Sequence, residues 1–214
     1  GVPDADDTPG ALLSLWHLAG VDAARPAAQG VRWLLDLQNA DGGIPTFCRG
    51  WGLLPFDRSS ADLTAHAIRA WTTWIDHVPP NIQHRIRRAA RQALKFLANT
   101  QRSDGAWAPL WFGNQHAAAE ENLTYGTSRV LLALATAKIP DVARERALCR
   151  DALAVNWLLS SQNGDGGWGG APATPSSIEE TALAVEALAA AVTGPGSTTT
   201  PQSAASIRSA ISRG

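Results

Sequence analysis

The chain has 214 residues, 45% of them hydrophobic and only 17% charged, enough apolar material for one substantial core. A formal net charge of −1, with no Lys/Arg run, excludes the basic field that nucleic-acid binding needs. No signal peptide is recognised, and the longest candidate for a membrane span, 182–192, is too short and carries Glu186.

Cys48 and Cys149 lie far apart and match no metal-ligand spacing, so unpaired thiols in a reducing compartment are expected, with no metal and no cofactor. Nine Trp against one Tyr points to a repeated structural motif or an aromatic-lined cavity.

In chain order, Asp4-Ala5-Asp6-Asp7-Thr8 comes first, followed by a helix over residues 9–19 whose Pro9 suits the first helical position. Helices are predicted at 27–38, 61–77, 80–100, 124–138, 141–161 and 177–192, and a further one begins near Gln202. Long loops occupy 39–60, 104–122 and 164–176, and the Thr/Pro/Gly tract 193–201 reads as a flexible linker. No strand pattern competes with these helices.

Three loops share one pattern about 60 residues apart. They are Gln38-Asn39-Ala40-Asp41-Gly42-Gly43-Ile44, Gln101-Arg102-Ser103-Asp104-Gly105-Ala106-Trp107 and Gln162-Asn163-Gly164-Asp165-Gly166-Gly167-Trp168. Each closes an apolar helix, with Gly stopping it, and a period of that length fits two helices and two loops per unit. The Gln and Trp are read as structural, the amide stacking on the indole and pinning one repeat to the next.

A second repeat precedes the other helix of each pair: Asp6-Asp7-Thr8, Asp62-Leu63-Thr64, Asn122-Leu123-Thr124 and Glu179-Glu180-Thr181. If alternate helices form an inner ring, these polar groups converge on one mouth. The fold class that follows is all-α, helical hairpins winding around an axis as an incomplete α/α toroid. It forms a single domain over 1–214, expected to be a piece of a longer protein truncated at both ends.

Three carboxylates in four residues cannot all ionise freely. Mutual repulsion can hold one of them protonated near neutral pH and ready to act as an acid, although an Asp-rich stretch before a helix is also an ordinary cap. Asp62 and His66 stand at i and i+4, on one helix face.

Together, the aspartate motif, the Gln/Gly/Trp repeats, Asp62-Leu63-Thr64-Ala65-His66 and Asn122-Leu123-Thr124-Tyr125-Gly126-Thr127 resemble the C-terminal half of a squalene–hopene cyclase, a class II terpene cyclase. The resemblance runs from Val2 to about Ala191. It implies an α/α-barrel domain holding catalytic aspartates, a second barrel encoded before this chain, and monotopic contact with the cytoplasmic side of a membrane that supplies squalene.

Residue by residue, the resemblance makes Asp6 the general acid that protonates a terminal isoprene double bond, with Asp4 and Asp7 tuning and positioning it. It makes His66 the partner of that acid and Asp62 the carboxylate one turn earlier. Trp111 and Tyr125 become cavity aromatics, Tyr125 in the part of the site that reloads the proton. Protonating an alkene needs a strong, dry acid, and an imidazolium donating to the second oxygen of Asp6 would stabilise the carboxylate left behind.

The cation that follows suits aromatic faces, for which Phe47, Trp51, Phe56, Trp111 and Phe112 in the long loops are candidates, with core packing the competing reading at each. Ile44 stands where the family's first repeat has Trp.

The expected function is proton-initiated cyclisation of a squalene-like triterpene, with an isoprenoid lipid as substrate partner. The fragment alone is expected to be inactive, and to pair with a second copy or with the N-terminal half of its own protein. Alternatives are a non-catalytic helical scaffold or isoprenoid-binding module, and, lower, a protein prenyltransferase-type subunit, which would need Asp, Cys and His zinc ligands close together.

Overall fold

A computed structural model describes residues 2–50, 55–194 and 201–214, with the backbone alone at Pro201. The helices are α1 (Asp7–Ala19), α2 (Ala24–Leu37), α3 (Ala61–Trp74), α4 (Pro80–Thr100), α5 (Leu123–Thr136), α6 (Ala143–Arg146), α7 (Asp151–Ser160), α8 (Ile178–Thr193) and α9 (Pro201–Arg213). The class is all-α, as expected. The one sheet among the described residues is a two-residue antiparallel pair, β1 (Ile44–Pro45) with β2 (Ser59–Ser60), too short to leave an alternating pattern in the sequence.

The chain divides into two compact units. The first holds Gly1–Asn99 and Ala137–Cys149, where α1, α2 and α3 pack on one another. Trp74 is fully buried there; its Nε1 donates to the Leu12 carbonyl (2.9 Å), and its ring meets Trp16 edge to face at 5.3 Å. The second unit holds Thr100–Thr136 and Arg150–Gly214, built on the broad contact of α5 with α8. Leu131, Leu158, Leu188, Ile207 and the fully buried Trp168 form its core.

The Gln/Gly/Trp loops are structural, and hydrogen bonds show how. Gln38, Gln101 and Gln162 each donate from Nε2 to the glycine carbonyl four residues on (2.8, 2.9 and 2.7 Å). Each also donates to a backbone carbonyl of a later helix, those of Ala89, Arg150 and Ala210 (2.9, 3.1 and 2.8 Å). One amide thus closes its own loop and ties it to the next hairpin.

Gly105 has φ 100°, and a Cβ there would stand 2.6 Å from the Leu153 backbone, so glycine lets the loop lie against the helix that follows. Gly42 and Gly166 repeat this against Gln92 and Arg213.

Two expectations are corrected. The helix predicted over 141–161 is broken between α6 and α7. The Gln101 carboxamide accepts the Arg150 N–H (2.9 Å) and donates to the Arg150 carbonyl, taking over the backbone groups at the start of α7. Apolar spacing cannot register a partner about 50 residues away.

The register of the second repeat is also different. The N–H groups of Ile44, Trp107 and Trp168 donate to the hydroxyls of Thr64, Thr127 and Thr181 (2.9, 3.0 and 2.9 Å). Thr127, not Thr124, is therefore the counterpart of Thr64; the buried Thr124 hydroxyl has no partner among the described residues. The counterpart of Asp62 is then Tyr125, and that of His66 is Arg129.

Candidate active site

The aspartate motif forms the first turn of α1. Asp4 Oδ1 accepts the N–H groups of Asp6 (2.9 Å) and Asp7 (2.7 Å), and the Asp4 carbonyl accepts that of Thr8 (3.2 Å). Asp4 therefore caps the helix, satisfying donors that have no intrahelical partner. Ala5 is fully buried and donates its N–H to the Phe47 carbonyl (2.9 Å), fastening the motif to the first long loop. Asp7 is exposed and Asp6 half-buried.

From α3, packed on α1, come Asp62 and His66. Asp62 is buried, at 3% exposure, and accepts a short hydrogen bond from the Ser60 hydroxyl. Desolvation pushes its carboxyl above the usual aspartate range, against the opposing hydrogen bonds from Ser60 and from the Asp62 and Leu63 backbone, and the charge of Asp6 pushes in the same direction as burial. Asp6 and Asp62 therefore sense each other across the α1–α3 contact.

His66, one turn after Asp62, points its ring at α1: its Cε1 would lie 3.7 Å from a Cβ on Gly10, which itself stands one turn after Asp6. The imidazole therefore lies within ordinary van der Waals reach of that turn. Asp62 and His66 thus lie on the helix that packs on α1, which Asp4 and Asp6 precede and Asp7 begins.

Of the aromatics in this unit, Phe47 is 36% exposed and meets Phe56 in a tilted contact at 5.3 Å; Trp51 lies outside the described residues. The second unit holds Trp111 and Tyr125. Tyr125 is buried, and the ring stacked on it is Phe112, at 4.5 Å and 23°, with the Arg129 guanidinium over the same Tyr125 ring at 5.3 Å. Trp111 is 41% exposed.

Phe112 was among the loop aromatics read from the sequence; Arg129 was not, and becomes legible once Thr127 is matched with Thr64.

Glu180 was also missed as a site residue. It is buried and joins Asn114, Asn122 and Ser177 in one polar cluster. Among the described residues no group of three His, Cys, Asp or Glu side chains could hold a metal ion, and Cys149 is buried with its thiol against the Leu94 carbonyl. No helix there is long and apolar enough to cross a membrane.

The family model described as the squalene–hopene cyclase C-terminal domain matches residues 2–210. The chain belongs to this family.

It is 36% identical to a drimenyl diphosphate synthase of Streptomyces showdoensis, over 87% of this chain and 31% of that one. It is 29% identical to a probable squalene–hopene cyclase of Sinorhizobium fredii (88% and 30%) and 32% identical to the lanosterol synthase of Mus musculus (64% and 19%). The chain thus spans less than a third of the length of these relatives.

A solved structure, a family 10 polysaccharide lyase from Cellvibrio cellulosa, aligns with TM-score 0.59 at 19% identity, covering 100% of this chain and 72% of that one. That likeness concerns the helical fold alone.

Proposed function

We propose that this chain carries the proton donor of a class II terpene cyclase, with Asp6 as the general acid. The observation that carries the reading is the meeting of Asp6, Asp62 and His66 where α1 packs on α3, in a member of a cyclase family. The Asp6 carboxyl transfers its proton to the less substituted carbon of a terminal isoprenoid double bond, leaving a tertiary cation on the carbon that bears the two methyl groups. Neighbouring double bonds attack in turn, and loss of a proton ends the sequence, so the reaction is a redox-neutral isomerisation.

Each of the other groups has a part. Asp62 is desolvated, which pushes its carboxyl above the usual aspartate range and favours its neutral form beside Asp6. His66, as imidazolium, stabilises the Asp6 carboxylate after transfer. Asp4 holds the turn by its two hydrogen bonds, and Asp7 contributes to the field. Phe47, in the same unit as Asp6, offers an aromatic face to the cation, and Trp51, Trp111 and Tyr125 stay candidates through the family resemblance alone.

A squalene-like hydrocarbon is the first substrate class. A prenyl diphosphate is the second, favoured by the drimenyl diphosphate synthase relatives and by Arg129, a cation with no carboxylate partner among the described residues. The remaining partners in this reading are a peripheral contact with the cytoplasmic face of a membrane and the N-terminal half of the same protein or a second copy.

The test uses the full-length protein, incubated separately with squalene and with prenyl diphosphates and analysed for cyclic products. Asp6→Asn should lower turnover about a thousandfold or more while the fold persists, as expected when a general acid is lost. A folded Asp6→Asn protein with near-normal turnover would overturn the acid assignment. A wild-type protein that cyclises neither substrate would favour the non-catalytic scaffold.

A further inference from the structure

Ser177-Ile178-Glu179-Glu180 has the spacing of a capping box, in which Ser and the third following residue cap one helix start reciprocally. Only half of that box is used. The Ser177 hydroxyl accepts the Glu180 N–H (3.1 Å), but the Ser177 N–H is already given to the Trp168 carbonyl (2.9 Å). The Glu180 carboxylate is freed from the usual reciprocal bond to the Ser177 N–H and keeps only the Ser177 hydroxyl at its own helix start.

Its Oε1 accepts from the Asn122 side-chain amide (2.8 Å) and from that of Asn114 (3.1 Å), while Oε2 takes the Ser177 hydroxyl. The carboxylate is 5% exposed, so these bonds are charge-assisted and poorly replaced by water.

Both amides hold the segment that carries the aromatic stack. Asn122 caps α5 by accepting the Tyr125 N–H at Oδ1 (3.0 Å). Asn114, two residues after Phe112, accepts the His116 N–H at Oδ1 (2.9 Å), donates its own N–H to the Glu120 carbonyl (2.9 Å) and accepts from Ala117 (3.0 Å). It lies against Gly170, where a Cβ would come within 2.4 Å of the Asn114 Cβ. Phe112 and Tyr125 are thus fixed at both ends of one loop, and the two fixings meet on one carboxylate oxygen.

We infer that Glu180 is a positioning residue, setting the Trp111–Phe112 segment against Tyr125 and through it the shape of the aromatic face that this unit presents. The inference rests on the cyclase reading for its consequence and on the hydrogen bonds for its geometry. Asn114→Ala cuts the loop arm and leaves the α5 cap intact. Glu180→Gln keeps an acceptor oxygen for both amides, and Glu180→Ala removes it.

The first measurement is amide hydrogen exchange across 111–122 in the full-length protein, with α2 as internal reference. Exchange should quicken about tenfold or more in Asn114→Ala and Glu180→Ala, the equivalent of one lost hydrogen bond to a charged acceptor, and stay near wild type in Glu180→Gln. Unchanged exchange in folded Asn114→Ala would overturn the inference, as would equal loosening in the Gln and Ala variants at Glu180.

The second measurement is the product mixture. Asn114→Ala and Glu180→Ala should shift it several-fold towards less-cyclised products, with Glu180→Gln restoring the wild-type pattern. A looser loop with an unchanged mixture would reduce Glu180 to a purely structural residue and overturn the positioning role. If the wild type turns over no substrate, the cyclase reading fails on its own, and the exchange data still decide the geometry.

Discussion

Helices α3 and α5 stand at the same position in the repeat and carry opposite chemistry. Thr64 and Thr127 each accept the N–H of the residue that closes the preceding Gln/Gly/Trp loop. Two residues before that threonine stands Asp62 in one unit and Tyr125 in the other; two residues after it, His66 and Arg129. One scaffold position thus presents a desolvated acid with an imidazole, and the other an aromatic ring with a guanidinium over it. The repeat conserves the hydrogen bonds that set a helix against its loop and leaves the residues one half-turn either side open to differ.

Removing what the two units share should have the largest effect. Trp107→Ala should cost about 3–5 kcal/mol and Ile44→Ala about 2–5 kcal/mol, because both side chains are fully buried. Thermal or denaturant unfolding of the single variants checks this, and a loss under 1 kcal/mol at either site would mean that the loop closes without its plug.

Thr64→Val and Thr127→Val come next. Each leaves a buried N–H without its acceptor, at about 1–3 kcal/mol, whereas Thr124→Val should be neutral or slightly stabilising because its hydroxyl is already unpaired. A larger loss at Thr124 than at Thr127 would restore the register read from the sequence.

The pH dependence separates the units. Burial raises the Asp62 carboxyl above the ordinary aspartate value of 3.8, so the folded state prefers its protonated form. Wild-type stability relative to Asp62→Asn should therefore be best below that value, decline as pH rises from 3.8 to the raised folded value, and stay level beyond it. Unfolding free energies of both proteins across pH 3–8 measure the difference. An opposite slope would show that the hydrogen bonds to Asp62 outweigh its desolvation. Tyr125→Phe, at the matching position, should show no such dependence across that range.

The smallest effect concerns the aromatic pair. Phe112→Leu should cost about 0.5–1.5 kcal/mol beyond any change in burial, the worth of the ring stack. A double-mutant cycle with Tyr125→Leu isolates that coupling, and a coupling near zero would show that the stack at 4.5 Å is not an energetic unit.

Much of this was legible in the sequence because it is local. The apolar spacing marks the helices, and Gln, Asp and Gly at fixed offsets mark the loops: the Asp165 carboxylate accepts the Gly167 N–H two residues on, a bond that holds it below the usual aspartate range. Asp4-Ala5-Asp6-Asp7 announces both a cap and a concentration of charge. The structure divides those duties, giving the cap to Asp4 and leaving Asp6 half-buried beside α3.

What the amino-acid sequence determined by itself is therefore the helices, the turn chemistry and the aspartate motif, since each depends on neighbours within a few residues. Only the tertiary structure decided that Thr127 answers to Thr64, that Gln101 breaks the helix before α7, and that burial makes Asp62 a weak acid. It also turned the Glu180 carboxylate from its capping box towards Asn114 and Asn122. Each of these depends on a partner atom, or on a desolvating surface, supplied by chain about 20–60 residues away, and no local pattern records which distant group will arrive.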